Sequence, residues 1–368
     1  MAVPSSGELE LYGDIGTELG VAQSNVTLHG MSQTAGFTEP DAMSDFYGYT
    51  PTSGSFNTVL FDGNGGTLPI TDVGFQPDLV WIKTTDIARN HLLFDSVRGA
   101  TKFLHSNTTE GDQTVANSLT SFDSEGFTLG NWTYTNTSGL AQVAWCWKAG
   151  GAAVTNTAGT ITSQVSANTE AGFSIVSYTG VGSGSNRTVG HGLNQAPEII
   201  IVKNRDGTQG WLVWTTLIDG SSDYLFLNST GPKDNSGQSL PTSTVFNIQN
   251  DGGGESNANG NKYIGYCFHS VTGVSKFGTY NGIGVVGNKQ TTGFNPSFVL
   301  IKPYNVNGSW VVFDNKRNTT NPITKFIRVN TSDAEGVSTG LDFYSDGFDF
   351  NGSNLNVSGY SYIYMAFA

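Results

Sequence analysis

Two acid–base pairs at a shared spacing are the residues of this chain best placed to do chemistry. Asp95 and Arg98 in LFDSVRGATKF recur as Asp314 and Arg317 in VFDNKRNTTNPITKF. Each Asp lies 12 residues after a lysine that ends an apolar run, Lys83 in GFQPDLVWIK and Lys302 in GFNPSFVLIK. A carboxylate and a guanidinium so spaced could serve a catalytic centre used twice, or form an ion pair that braces a turn. A third lysine-ended run, GLNQAPEIIIVK, stops at Lys203, and there Thr215 takes the place of the acid and Ile218 that of the arginine. A pair that one copy does without reads as a stabilising accessory, so a brace tying the lysine-ended strand to its neighbour is expected.

The other chemistry-bearing types point nowhere in particular. Gly282, Gly284 and Gly287 form a GxGxxG array, but KQTTGFNP follows where a dinucleotide fold needs a helix, so a hairpin is expected. The DGNGG run at Asp62 lacks the later glutamate of a calcium loop and reads as a tight turn. His29, His91, His105, His191 and His269 show no metal-ligand spacing, and no GxSxG elbow occurs. Paired carboxylates for glycoside hydrolysis need only proximity in space, and nothing marks one pair. No catalytic, cofactor-binding or metal-ligating residue is therefore assigned, and no cofactor is expected.

The elements that carry these residues repeat. Lys83 precedes Cys146 by 63 residues, Lys203 precedes Cys267 by 64, and Lys302 precedes Ala366 by 64; these three positions lie in the matched runs VAWCWKA, IGYCFHS and IYMAFA. A fixed distance between two matched runs marks one folding unit used three times. The glycine turns of FNTVLFDGNGG, FSIVSYTGVGSG and VSKFGTYNGIG, and the segments ending at Thr109, Thr230 and Ser332, fit the same frame. SFDSEGFTLG and LDFYSDGFDFNG flank an acidic-Gly turn with Phe122 and Phe127, and with Phe343 and Phe348. Cys146 and Cys267 share a register in different units, so each should be a free thiol in its own core, beyond the reach of a disulfide. A position that accepts Cys, Cys and Ala wants a small buried side chain.

Short apolar runs bounded by Gly, Pro, Asn and Asp read as strands, and no window sustains a 3.6-residue period. The fold expected is all-β: three tandem β-sandwich, jelly-roll-like modules over residues 54–151, 152–271 and 272–368, each of a size to bury a core of its own. VWIK, IIIVK and VLIK are continuous rather than alternating, as suits a strand covered on both faces. The net charge of −13, from 17 Lys plus Arg against 30 Asp plus Glu, leaves no basic face for nucleic acid. No apolar stretch approaches the length of a membrane span, and the N-terminus has no basic-then-apolar leader. Neither nucleic acid nor membrane insertion is expected.

Residues 1–53 differ from the rest: GELELYGDIGTELG and EPDAMSDFYGY are short and Gly-punctuated, with an aromatic cluster at Phe46, Tyr47 and Tyr49. Such a segment is expected to gain order on a partner, with PTSGS from Pro51 as a linker. MAVPSSGELELYGDIGTELG and GFTEPDAMSDFYGY, with GFQPDLVWIK through LFDSVRGATKFL, LTSFDSEGFTLG and VAWCWKAGG, resemble virion structural proteins of tailed bacteriophages, especially cyanobacterial and other marine phages. The resemblance implies a non-enzymatic, tail-fibre- or adhesin-type protein. It would be assembled into the virion in the host cytoplasm and held to other virion proteins by its N-terminal segment. It also implies β-modules exposed toward a host-surface glycan, and allows a homo-oligomer. A head fibre or capsid decoration protein, and a glycan-degrading virion enzyme, are the alternatives.

Overall fold

The computed structural model describes residues 54–182, 187–248 and 254–368. Phe46, Tyr47 and Tyr49 lie outside the described residues. Among the described residues the chain is all-β, the one helix being a four-residue turn, Thr133–Asn136.

Twelve strands carry the repeat. The first copy supplies β1 (Phe56–Asp62), β2 (Leu79–Thr84), β3 (Leu92–Asp95) and β4 (Ala141–Trp147). The second supplies β5 (Phe173–Thr179), β6 (Ile199–Asn204), β7 (Trp211–Thr215) and β8 (Lys262–Phe268). The third supplies β9 (Ser275–Asn281), β10 (Phe298–Pro303), β11 (Val311–Asp314) and β12 (Ser361–Phe367). Each set is antiparallel and keeps one order across its sheet: β1-β4-β2-β3, β5-β8-β6-β7 and β9-β12-β10-β11. The registers agree as well. Lys83 lies opposite Val143, Lys203 opposite Ile264 and Lys302 opposite Ile363; Cys146, Cys267 and Ala366 lie opposite Val80, Ile200 and Val299.

A second layer covers each sheet. In the first repeat it is the hairpin of Leu119–Asp123 and Gly126–Leu129, where Phe122 faces Phe127 across the acidic-Gly turn. In the second it is Arg187–Gly190 paired with Val245–Ile248. In the third, the sheet continues through Ile323–Arg328 and, past a register shift between Ile323 and Lys325, curls into Gly336–Tyr344 and Gly347–Phe350. Phe343 and Phe348 again face each other at that turn. A shift of register bends a strand and strengthens its twist, which lets one sheet act as both layers.

The apolar runs are continuous because both faces of these sheets are buried. Val80 and Ile82, Ile200 and Val202, and Val299 and Ile301 point into the core of their own repeat. Their neighbours Leu79 and Trp81, Ile199 and Ile201, and Phe298 and Leu300 point the other way, into one cluster shared by all three repeats. Strand side chains alternate between faces, so an apolar residue at every position is what a doubly covered strand requires. The modules therefore do not bury their apolar surface separately. Residues Ser55–Ala368 form one compact unit around the shared cluster, where Phe56, Phe298, Phe367 and Phe268 bring rings from all three repeats within 5.1–6.1 Å of one another.

Candidate functional site: the seams between repeats

The charged residues picked out by their spacing lie where one repeat meets the next. Two residues beyond each lysine, a carbonyl accepts a backbone amide from the adjacent repeat: Asp112 donates to Arg205 (2.7 Å), Lys233 to Tyr304 (2.7 Å) and Glu335 to Thr85 (2.8 Å). The first two bonds join successive repeats. The third joins the last repeat to the first, so the contacts form a closed ring.

Lys83, Lys203 and Lys302 stand one residue before the ends of their strands at these seams and are fully buried. Each ammonium donates to the carbonyl of the residue that follows it, Thr84 (2.6 Å), Asn204 (2.9 Å) or Pro303 (2.8 Å). Lys203 also reaches Thr109 O of the first repeat at 3.0 Å, and Lys302 reaches Thr230 O of the second at 3.1 Å. For Lys83 the matching segment of the third repeat contributes the charge of Asp333. Burial lowers the pKa of all three to about 8, because a desolvated ammonium is disfavoured even among carbonyl dipoles.

Eight residues past each lysine a ring nitrogen crosses the seam. Trp211 Nε1 donates to His105 O (2.7 Å), Trp310 Nε1 to Phe226 O (3.0 Å) and His91 Nε2 to Arg328 O (3.0 Å). His91 thus occupies an indole position. Its Nδ1 accepts the Trp81 indole N–H at 2.9 Å, which fixes the neutral tautomer. Burial, followed by the charge of Lys83, pushes its pKa down to about 3.

The Asp–Arg pairs cap a turn and bind across a seam at once. Asp95 Oδ1 accepts the Arg98 amide (2.8 Å) and its Oδ2 pairs with Arg98 Nε (2.5 Å), while Arg98 Nη2 donates to Leu93 O (2.7 Å). Asp314 and Arg317 repeat this with 2.9, 2.6 and 3.1 Å. The second partner of each acid comes from another repeat. Tyr266 of the second donates its hydroxyl to Asp95 (2.8 Å), and Trp145 of the first donates its indole N–H to Asp314 (3.1 Å). Both donors stand one residue before the small buried position, where the third repeat has Met365. Where the acid is Thr215, the seam thus lacks both the carboxylate and its polar partner, and Ile218 and Met365 pack into the shared cluster. Burial works against the Arg98 charge, yet Asp95 and Asp112 hold its pKa above the usual arginine range.

Cys146 and Cys267 are free, buried thiols, one in the core of the first repeat and one in that of the second. Burial raises both pKa values, that of Cys267 to about 12, so neither is a ready nucleophile.

Spacing also marks three residues that were not singled out. Asn136, Asn257 and Asn356 stand ten positions before Cys146, Cys267 and Ala366, and all are fully buried. Each Oδ1 accepts the amide at the centre of a G-x-G turn, from Asn64 (2.7 Å), Val181 (2.8 Å) or Ile283 (3.0 Å). The backbone carbonyl of each Asn accepts the amide of the turn's second glycine, Gly65, Gly182 or Gly284. Those glycines have φ of +71°, +67° and +79°, and a Cβ on the first glycine of each turn would strike the carbonyl one residue past the Asn. The GxGxxG array of the third repeat is this turn extended by Val285 and Val286, and both valines are exposed.

The recurring charged residues therefore hold repeats together. Among the described residues no group of three or more His, Cys, Asp or Glu is arranged to hold a metal ion, and no helix is long and apolar enough to cross a membrane. A family model described as a domain of unknown function, DUF7483, matches residues 51–368. The chain belongs to the DUF7483 family. The match spans the whole ring of repeats, so the DUF7483 domain is the three-repeat unit rather than one repeat. No curated protein matches the chain.

Proposed function

We propose that this protein is a non-enzymatic structural component of a tailed-bacteriophage particle, of the tail-fibre or adhesin type. Residues 1–53 attach it to other virion proteins, and the DUF7483 domain stands exposed. The observation that carries this reading is where the family match begins. Residues 1–50, which include the opening that resembles virion structural proteins of tailed bacteriophages, fall outside the matched domain. The domain itself ties up its buried charges in closing the ring, which suits a rigid projecting body. Deleting residues 1–50 should leave the β fold intact by circular dichroism and abolish co-sedimentation with virions lacking the native copy. Incorporation of the truncated chain at the wild-type level would overturn the assignment. A mass-spectrometric inventory of separated heads and tails distinguishes a tail protein from a capsid decoration.

A further inference from the structure

Five asparagines of the chain are followed directly by glycine: Asn64, Asn259, Asn281, Asn307 and Asn351. Such a step can modify itself. The backbone nitrogen of the glycine attacks Cγ of the asparagine, and the absence of a Cβ on glycine gives the chain the freedom to bring the two together. The N–Cγ bond forms, the Cγ–Nδ2 bond breaks, and ammonia leaves with the proton of the glycine amide, so a succinimide ring remains. Water then opens that ring at one carbonyl to give aspartate, or at the other to give isoaspartate. Water is the only co-reactant.

A glycine amide that donates a hydrogen bond must break it before it can attack, so the acceptor of each amide sorts the five steps. Gly65 donates to Asn136 O (3.0 Å), Gly260 to Gly180 O (2.9 Å), Gly282 to Tyr360 O (2.8 Å) and Gly308 to Thr230 O (2.9 Å). The first three bonds belong to the G-x-G turns of the three repeats, and the fourth crosses the seam between the second and third. Gly352 differs. Its amide has no acceptor among the described residues, and only its carbonyl is engaged, by Asn356 Nδ2 at 3.3 Å. Asn351 and Gly352 are both half-buried, which leaves them open to water. Asn351 Nδ2 donates to Asp342 Oδ1 at 2.8 Å, a bond that holds the leaving group and not the attacking nitrogen.

The product disturbs what Asn351 now steadies. Asn351 follows the buried Phe350 at the end of its strand, and Asp342 already stands opposite Asp349 on the neighbouring one. Loss of ammonia replaces the amide donor beside Asp342 with a third carboxylate, and like charges so placed across a strand pair repel. Isoaspartate also lengthens the backbone by one methylene at the strand end.

We propose that Asn351–Gly352 is a self-modification site, the Asn–Gly step that converts to aspartate and isoaspartate in the native ring, and that conversion loosens the hairpin of Gly336–Tyr344 and Gly347–Phe350. The test incubates the full chain in mildly alkaline buffer, with and without urea, and follows all five steps by peptide mapping with mass spectrometry. In the native chain Asn351 should convert about ten-fold or more faster than each of the other four, and in urea the five should approach one rate. Gly352→Ala should suppress the conversion and keep the thermal midpoint, since a Cβ there meets only the Thr339 side chain, at 3.4 Å or more. Asn351→Asp should speed hydrogen exchange in the hairpin and leave it unchanged in the first repeat. Another Asn–Gly step converting as fast as Asn351 in the native chain, or Asn351 keeping its amide while the urea-treated chain loses it, overturns the site. Unchanged exchange in Asn351→Asp overturns the loosening.

Discussion

Lys83, Lys203 and Lys302 each set an ammonium among backbone carbonyl oxygens, and burial holds their pKa values at about 8 against the ordinary 10.5. Between those values the unfolded chain still carries protons that the native state has released, so the free energy of unfolding rises with pH. With Cys146 and Cys267 replaced by alanine, because their raised thiol pKa values give an opposing slope above pH 8, the thermal midpoint should therefore climb from pH 8 toward 9.5, and a flat or falling midpoint over that window would contradict the buried placement of the lysines. His91 and His191 act at the other end of the scale, with native pKa values of about 3 and about 4 against 6.5. Their contribution is complete above pH 6.5 and is lost as the pH falls through the native values, because the unfolded imidazoles take protons first. Both slopes come from groups whose neutral form the fold prefers. In the chain without Cys146 and Cys267 the rise from pH 8 belongs to the lysines, and calorimetry at fixed ionic strength measures it.

At the scale of the seam, an acid, an arginine and a polar ring from the next repeat behave as one unit. Asp95→Ala should cost about 3–5 kcal/mol, because it leaves Arg98 buried without its carboxylate. Thr215→Asp alone should destabilise for the converse reason, and adding Ile218→Arg and Met365→Tyr should recover part of that loss in urea denaturation. No recovery in the triple variant would mean that the seams are not equivalent. Half of this arrangement was legible beforehand. The 12-residue offset from each lysine marked Asp95 and Asp314, and Thr215 and Ile218 at the matching positions marked the pair as a stabilising brace rather than a catalytic centre. The partners Tyr266 and Trp145 were not legible, since they lie 171 and 169 residues away and come from another repeat. Asn136, Asn257 and Asn356 could have been found with the same ruler, because each stands ten residues before the small buried position. His91 was hidden for another reason, as its counterparts Trp211 and Trp310 share its hydrogen bond and not its residue type.

For the whole molecule, the all-β class and doubly covered strands follow from short apolar runs without helical period, but the covering of the second face does not. Trp81 and Val80 look alike in sequence, although one faces the shared cluster and the other its own core. That difference decides the unit of folding. Removing the other two repeats would expose Phe56, Leu79, Trp81, Leu93, Val143, Trp145 and Trp147 of the first. At roughly 1.5–3 kcal/mol for each large apolar side chain, that is on the order of 10–20 kcal/mol. The loss matches or exceeds the whole net stability of an ordinary domain, about 5–15 kcal/mol. If the three repeats close into one cooperative ring, scanning calorimetry of residues 54–368, beside a polypeptide of residues 54–151, will show it. The ring should give one transition whose calorimetric and van't Hoff enthalpies agree, and the single repeat no cooperative transition. A single repeat that melts cooperatively on its own, with the larger chain unfolding in independent steps, would contradict it.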